Sequence, residues 1–518
     1  LTVTVRTALV VSQFKLTIRH GWRAHIAVLI AGLLLPLSFA PFNIWPIAIL
    51  SLAVLTYLLQ DLNAKQTMIC GFVFALGMFA SGVHWTFVPI DQFSSTPVVL
   101  SVLIILVFVL ALAVVFYALP FYCLGRWCSR HSLGLLLGLP AIWLITEWLR
   151  TWLFTGFPWL FLGYGHLNTW LSGWAPITGV MGISFLVCFT ASTLVFCWRQ
   201  RHKKLMAVST AGVCALFWLA GLVFSNIQWT QSFGEPVKVG LAQGNIPQEK
   251  KWEESFLKPT LDRYQTLTNE LWGNDWIVWP EAAVPMIANT VRDHARLQPY
   301  LADLKQQAVT HNAALITGIL YLSPENNKAY NSIIATGLGA GIYFKRRLVP
   351  FGEYAPLEDY LGGLFNFFNI QRSMIALGPA NQRGLQVGSA ILAPSICYEI
   401  VYPDLVAGGA ENANVLITIS NDAWFGRSIG PLQHMQMARM RALETQRYLI
   451  RGTNNGVSAL VNDKGEIIVK SDRYVMQSIA GEIELRQGMT PFMVIGSEPV
   501  VFLSLVILGV LGFLQYRK

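Results

Sequence analysis

One cysteine stands apart from the other six. Cys397, in Ser395-Ile-Cys-Tyr-Glu399, is the only cysteine after Cys214. Cys70, Cys123, Cys128, Cys188, Cys197 and Cys214 fall in or beside apolar runs, where a thiol packs as a small apolar group. A nucleophilic thiol needs a base and a donor for the oxyanion it creates. Glu281, in Trp279-Pro-Glu-Ala-Ala283, has the apolar neighbours that raise a carboxyl toward a useful base. Lys345 opens Lys345-Arg-Arg-Leu-Val-Pro-Phe-Gly-Glu-Tyr354 and suits an oxyanion donor. A buried lysine needs a carboxylate, and Glu281, Glu353 and Glu399 are the candidates. His294, His311 and His434 lie in helical or turn settings and read as surface or packing residues. Any one of the charged residues alone is an ordinary salt-bridge partner. As a set they point to acyl chemistry through a thioester.

The elements that position this set must first be separated from a membrane. The 518 residues are 54% hydrophobic and 13% charged, with mean hydropathy +0.49. Soluble domains carry roughly 25% charged residues, so a membrane class is expected. Residues 1–225 hold 12 Lys/Arg against 3 Asp/Glu, and the remainder holds 25 of each. Basic residues gathered in short loops read as topology rather than as a nucleic-acid surface, and no nucleic-acid partner is expected. Apolar runs at 24–39, 44–60, 67–88, 97–122, 134–150, 172–197, 204–225 and 498–515 predict eight spans, the first, second and fifth of them short. Lys/Arg-bearing loops alternate with nearly uncharged ones. The positive-inside rule then places both termini in the cytoplasm and the long segment after the seventh span outside. An unpaired thiol on that oxidising side argues against a bland role for Cys397. The spans hold almost no charges, which disfavours a transporter.

Three parts follow: a seven-span bundle over 1–225, an extracytoplasmic domain over 226–491, and a C-terminal span and tail over 492–518. Within the outer domain, strands are expected at 237–243, 276–279, 314–321, 331–337, 342–349, 389–397, 414–420, 456–463 and 466–470. Helices are expected near 253–271, 295–309 and 430–449. Strands alternating with helices predict an α/β domain with a buried sheet. Gly337-Leu-Gly-Ala-Gly341 reads as a hairpin turn. Glu281, Lys345 and Cys397 each sit at a predicted strand end, where open α/β sheets put their sites. Neither a metal-ligand spacing nor a phosphate-binding glycine loop is present, so no metal or cofactor is expected.

In chain order, the Glu, Lys and Cys segments resemble the motifs of the nitrilase superfamily. Gly240-Leu-Ala-Gln-Gly-Asn-Ile-Pro247, Leu348-Val-Pro-Phe-Gly-Glu-Tyr354 and Ser420-Asn-Asp-Ala-Trp-Phe-Gly426 sharpen the match. With seven spans before the domain and one after, nearly the whole chain resembles the apolipoprotein N-acyltransferases of bacterial inner membranes. The resemblance implies an αββα sandwich on a membrane bundle, with the catalytic domain on the periplasmic side. It implies Glu281 as general base, Lys345 as oxyanion donor and Cys397 as nucleophile, with Glu353 supporting the lysine. Tyr398 and Glu399 flank the nucleophile, Glu399 as an orienting group. The implied donor is a membrane phospholipid, typically phosphatidylethanolamine. The implied acceptor is the N-terminal amine of an S-diacylglyceryl-cysteine apolipoprotein. A membrane-tethered amidase shares the triad and is the alternative.

Lipid substrates require a site open near the bilayer. Gly362-Gly-Leu-Phe-Asn-Phe-Phe-Asn369 is apolar, and Phe365, Phe367 and Phe368 suit either a membrane-dipping lid or a packed helix. Trp252 and Trp424 are candidates to line the site, with core packing equally open. Glu147 and Arg150 are candidates to meet a head group or to pair across one helical turn. Their aromatic surroundings, Glu147 to Tyr164, fit an interfacial belt.

Overall fold

The computed structural model describes residues 21–93, 96–128, 132–350, 352–354 and 375–517. They form two compact units. One contains the chain up to Trp174, Val180–Asn226 and the residues from Ser497; the other contains Ala175–Gly179 and Ile227–Gly496.

The first unit is helical. Among the described residues, five helices are long and apolar enough to cross a bilayer: Ala64–Gly82, Val98–Trp127, Trp170–Arg199, Lys204–Phe224 and Glu498–Tyr516. Three of the eight expected spans are shorter apolar helices, at Trp22–Ser38, Pro46–Leu58 and Leu133–Leu149. A helix of 13 residues such as Pro46–Leu58 rises about 20 Å, against a hydrocarbon core of ~30 Å. Proline marks the ends of the first two: Pro36 sits in the tight turn Leu35–Ser38, and Pro46 opens the next helix. The helix from Ala64 starts on a capping box. Asn63 Oδ1 accepts from the Gln66 amide and Gln66 Oε1 accepts from the Asn63 amide, each at 3.0 Å. Gly32 and Gly77 let two helices touch: a Cβ on Gly32 would lie 2.1 Å from the Phe74 carbonyl oxygen, and one on Gly77 2.5 Å from that of Leu29. Val99, Leu103, Val107, Leu205, Val208 and Leu216 stay exposed, an apolar exterior suited to lipid.

The second unit is a sandwich. Its strands in chain order are β1 (Val237–Gln243), β2 (Trp276–Val278), β3 (Val284–Ala288), β4 (Ala314–Leu322), β5 (Ala329–Gly337), β6 (Gly339–Ala340) and β7 (Ile342–Phe344). Then come β8 (Leu385–Val387), β9 (Ala390–Ile396), β10 (Val415–Ser420), β11 (Leu449–Thr453), β12 (Ala459–Val461), β13 (Ile467–Lys470) and β14 (Gln477–Ile483). Among the described residues they make two seven-stranded sheets. One runs β14-β1-β2-β4-β5-β7 with β3 beside β4; the other runs β13-β12-β11-β10-β9-β8-β6. Parallel pairs occupy the centre of each: β1, β2 and β4 in the first, β9, β10 and β11 in the second.

Period-two alternation explains the layers. Trp276, Val278, Ala314 and Ile316 face the second sheet and join Ile396, Ile417, Ile419 and Ile450 in one buried core. Ile277 and Leu315 face the other way, against Leu267, Leu271 and Leu304 of the helices Glu254–Leu271 and Val291–Thr310. Helices Pro403–Ala410 and Gly430–Thr445 pack on the second sheet. The order is helix, sheet, sheet, helix.

Several expected boundaries move. The helix expected over 430–449 stops at Thr445, where Gln446 turns left-handed at φ +44°, and β11 follows as a fully buried strand. The strand expected over 342–349 ends at Phe344, because the chain leaves the sheet there. The glycine run is the expected hairpin turn, joining the antiparallel pair β5 and β7, and within it β6 pairs with β8 of the opposite sheet. Strands β3, β6, β8, β11 and β14 were not anticipated.

Candidate active site

Three strand ends converge. Glu281 follows β2, Lys345 follows β7 and Cys397 follows β9. All are buried, at 7%, 1% and 8% exposure. Lys345 Nζ lies 2.8 Å from Glu353 Oε1 and 3.6 Å from Glu281 Oε1. Glu281 is held by two donors, the Asn331 side-chain amide at 2.7 Å and the Asn421 backbone N–H at 2.8 Å. Glu353 accepts from the Val349 N–H at 2.8 Å. Cys397 adopts φ +52°, a left-handed conformation that non-glycine residues rarely keep without a reason in the surrounding structure.

The charges act on one another. Burial pushes the Cys397 thiol up to about 12; the Glu281 charge adds to this and Lys345 opposes it. Burial alone would lower Lys345, but Glu353 and Glu281 outweigh it and hold the ammonium well above the usual lysine range. A thiol pushed up by burial thus shares the site with the Glu281 side chain and with an ammonium that its acidic neighbours hold charged. That arrangement suits attack on a carbonyl with the thiol proton leaving to a base.

The family model for the apolipoprotein N-acyltransferase N-terminal domain matches residues 31–193, and the carbon-nitrogen hydrolase model matches residues 238–488. The apolipoprotein N-acyltransferase of Pseudomonas paraeruginosa is 41% identical over 496 residues, covering 95% of this chain and 96% of its own. That of Coxiella burnetii is 38% identical over 486 residues, covering 93% and 98%. The chain belongs to the apolipoprotein N-acyltransferase family. It is an acyltransferase of the nitrilase superfamily and a bacterial membrane protein, from a family that N-acylates lipoproteins. Among solved structures, a carbon-nitrogen hydrolase superfamily protein of Xanthomonas campestris aligns with TM-score 0.36 and 18% identity, covering 48% of this chain and 91% of that one. A branch 10 nitrilase-superfamily member from Saccharomyces cerevisiae gives 0.37 and 18%, covering 50% and 92%.

The enzyme's flanking residues are buried as well. Glu399 is fully enclosed. It accepts from the Tyr343 hydroxyl at 3.0 Å and from the backbone amides of Ile396, at 2.8 Å, Arg346 and Arg347. It thus ties the turn after Lys345 to the turn that carries Cys397. Tyr398 packs edge-on against Tyr402 at 5.3 Å. Trp252 and Trp424 are 49% and 41% exposed, so neither is a core residue. Phe365, Phe367 and Phe368 lie outside the described residues. Glu147 and Arg150, in the helical unit, are fully buried and turn to different partners. Glu147 accepts from Trp143 Nε1 at 3.0 Å and the Leu162 amide at 2.9 Å, while Arg150 donates to the Trp159 carbonyl at 2.6 Å. These bonds replace the expected pairing across one helical turn.

His311 stacks on Trp272 as a packing residue, and His434 is a buried packing residue set directly behind the Cys397 backbone. Its Nε2 is 3.1 Å from the Cys397 carbonyl oxygen, which can only accept, so Nε2 carries the proton. Burial, then Arg451, hold the ring neutral against the pull of Asp422. Nδ1 therefore accepts from Arg451 Nη2 at 3.1 Å, and both ring nitrogens are engaged. Arg451 also pairs with Asp422 at 3.0 Å, and Asp422 accepts from Ser420 at 2.8 Å. The result is a brace for the left-handed Cys397 backbone rather than a base. Its one sequence signal was a histidine in a helix otherwise rich in buried methionine and alanine.

Asn331, Asn421 and Gly318 were also missed. Gly318 stands in β4 against the Glu281 turn, where a Cβ would lie 2.5 Å from the Ala282 nitrogen and 2.7 Å from the Glu281 Cα. Gly318→Ala should therefore push the carboxylate out of place. Acyl transfer should fall about 100-fold, and the unfolding temperature should drop with it, because backbone atoms rather than a flexible side chain must give way. Lipoprotein acylation rates check this, and a loss smaller than twofold would mean that the turn yields to a methyl group.

Proposed function

We propose that the enzyme moves a fatty acyl chain from a membrane phospholipid, typically phosphatidylethanolamine, to the N-terminal amine of S-diacylglyceryl-cysteine apolipoproteins through a Cys397 thioester. The observation that carries the reading is the buried meeting of a Lys345 ammonium, two carboxylates and a protonated Cys397 thiol. As Sγ attacks the ester carbonyl, Glu281 takes its proton. Lys345 donates to the oxyanion. Collapse forms the thioester and expels the lysophospholipid alkoxide, which takes the proton from Glu281. The apolipoprotein α-amine then attacks the thioester. Glu281 takes the amine proton and returns it to the departing sulfur.

The order of the two substrates follows from bond energetics. A thioester is a better acyl donor to an amine than an ester is, so one site serves both lipids in turn. Glu353 anchors Lys345, and Glu399 and Tyr398 hold the nucleophile's turn. Trp252 and Trp424, both partly exposed, are suited to contacting lipid. Glu147 and Arg150 support the bundle instead. In this reading the chain crosses the bilayer eight times, counting the three short helices, with 226–491 on the periplasmic side of the inner membrane and both termini in the cytoplasm. The alternation of charged and uncharged loops supports that topology.

The test is the mass of the Cys397 peptide after incubation with phosphatidylethanolamine alone. A long-chain acyl adduct, cleared by adding a diacylglyceryl lipopeptide, is expected. An adduct that forms only from small soluble amides would move the assignment to an amidase.

A further inference from the structure

Lys251 is a second buried cation beside the reaction centre. It lies in the turn that follows Gln243-Gly-Asn-Ile-Pro247, is 3% exposed, and donates from Nζ to the Glu281 carbonyl oxygen at 2.9 Å. The local charges show why a cation there matters. Glu281 and Glu353 bring two negative charges and Lys345 one positive, leaving a net negative charge where the thiol must ionise. Asp422 also opposes ionisation of Cys397, but Arg451 stands 3.0 Å from its carboxylate. Glu399 is tied to Tyr343 and three backbone amides, and Lys345 is the cation that acts on it. Lys251 interacts electrostatically with both Glu281 and Cys397.

We propose that Lys251 is a positioning residue for the transfer reaction. Its ammonium cancels the second carboxylate charge, so that negative charge can develop on Cys397 Sγ and on the oxyanion. The proposal rests on the reading of Cys397 as nucleophile. Burial draws the Lys251 ammonium down to about 8 while Glu281 and Cys397 resist, so the charge is present at neutral pH and is lost on passing above that value. A lysine placed only to hold the Glu281 turn would need its hydrogen bond but not its charge, and the two roles separate by substitution.

Lys251→Gln keeps a donor for the Glu281 carbonyl and removes the charge. Lys251→Arg keeps both. The full-length enzyme in detergent is given phosphatidylethanolamine, and the single-turnover rate of lysophospholipid release is followed across a pH series. Lys251→Gln should be about tenfold slower at neutral pH, with its rate profile displaced to higher pH. Lys251→Arg should keep the wild-type profile. A wild-type profile for Lys251→Gln overturns the proposal. So does an equal loss in both variants with an unshifted profile, or with a lowered unfolding temperature, since a packing role alone gives either. Failure of the nucleophile reading is seen separately, as wild-type turnover without an acyl group on Cys397.

Discussion

Cys397→Ala should reduce N-acylation of a lipoprotein about 10⁵-fold, to the level of background chemistry. In the proposed mechanism the sulfur is the atom on which the acyl chain rests between two substrates. No other cysteine follows Cys214 in the chain. Alanine keeps the Cβ, so the left-handed backbone at φ +52° bears the same steric load and the His434 bond to the carbonyl is untouched. The fold should therefore survive, which the unfolding temperature checks. Cys397→Ser is the sharper variant. Serine can form an ester, but an ester gives the incoming amine no advantage over the phospholipid itself, so transfer should still fail. N-acylation of the lipoprotein by either purified variant, read by mass spectrometry, would overturn the thioester mechanism.

Glu281→Gln should slow both half-reactions by about 10³-fold. The carboxylate accepts from the Asn331 amide on one oxygen and from the Asn421 N–H on the other. A glutamine can satisfy one of these donors and must turn its own NH₂ toward the second, so it loses the base and a hydrogen bond together. It also removes one of the two carboxylates near Lys345, leaving Glu353 at 2.8 Å. Lysophospholipid release reports the first half-reaction. Transfer from preformed acyl-enzyme to a diacylglyceryl lipopeptide reports the second. If only the first slows, Glu281 is not the base for the amine and the second proton has another acceptor.

The positions of Glu281, Lys345 and Cys397 were legible because each sits one residue or a few past an expected strand. Val237–Gln243 and Ala314–Leu322 are long apolar runs, and such runs declare themselves by pattern alone. The missed strand β11 shows the limit. Leu449-Ile-Arg-Gly-Thr453 carries a charge in its middle, which argues against a buried strand, and it follows a helix without a proline or glycine stop. Arg451 is tolerated because Asp422, 29 residues earlier, meets it there. Distance in sequence also hid the role of His434, which lies 37 residues from Cys397. Lys251 and Asn331 look like ordinary polar residues until the fold puts them against Glu281.

The amino-acid order alone thus pointed to a membrane half, an α/β half, and three residue types suited to the proposed thioester mechanism. Hydropathy, charge spacing and strand periodicity are local properties, and each is read within a window of a few residues. What surrounds the thiol is not local. The second carboxylate on Lys345, the neutral histidine behind the Cys397 carbonyl and the cation at the Glu281 turn come from distant segments, joined by closure of the two sheets on one core. Their effect on Cys397 depends on separations of a few ångströms in a dry interior, where charges act most strongly. The lone cysteine could be picked out by spacing; its protonation, its backbone strain and its second cation belong to the folded chain.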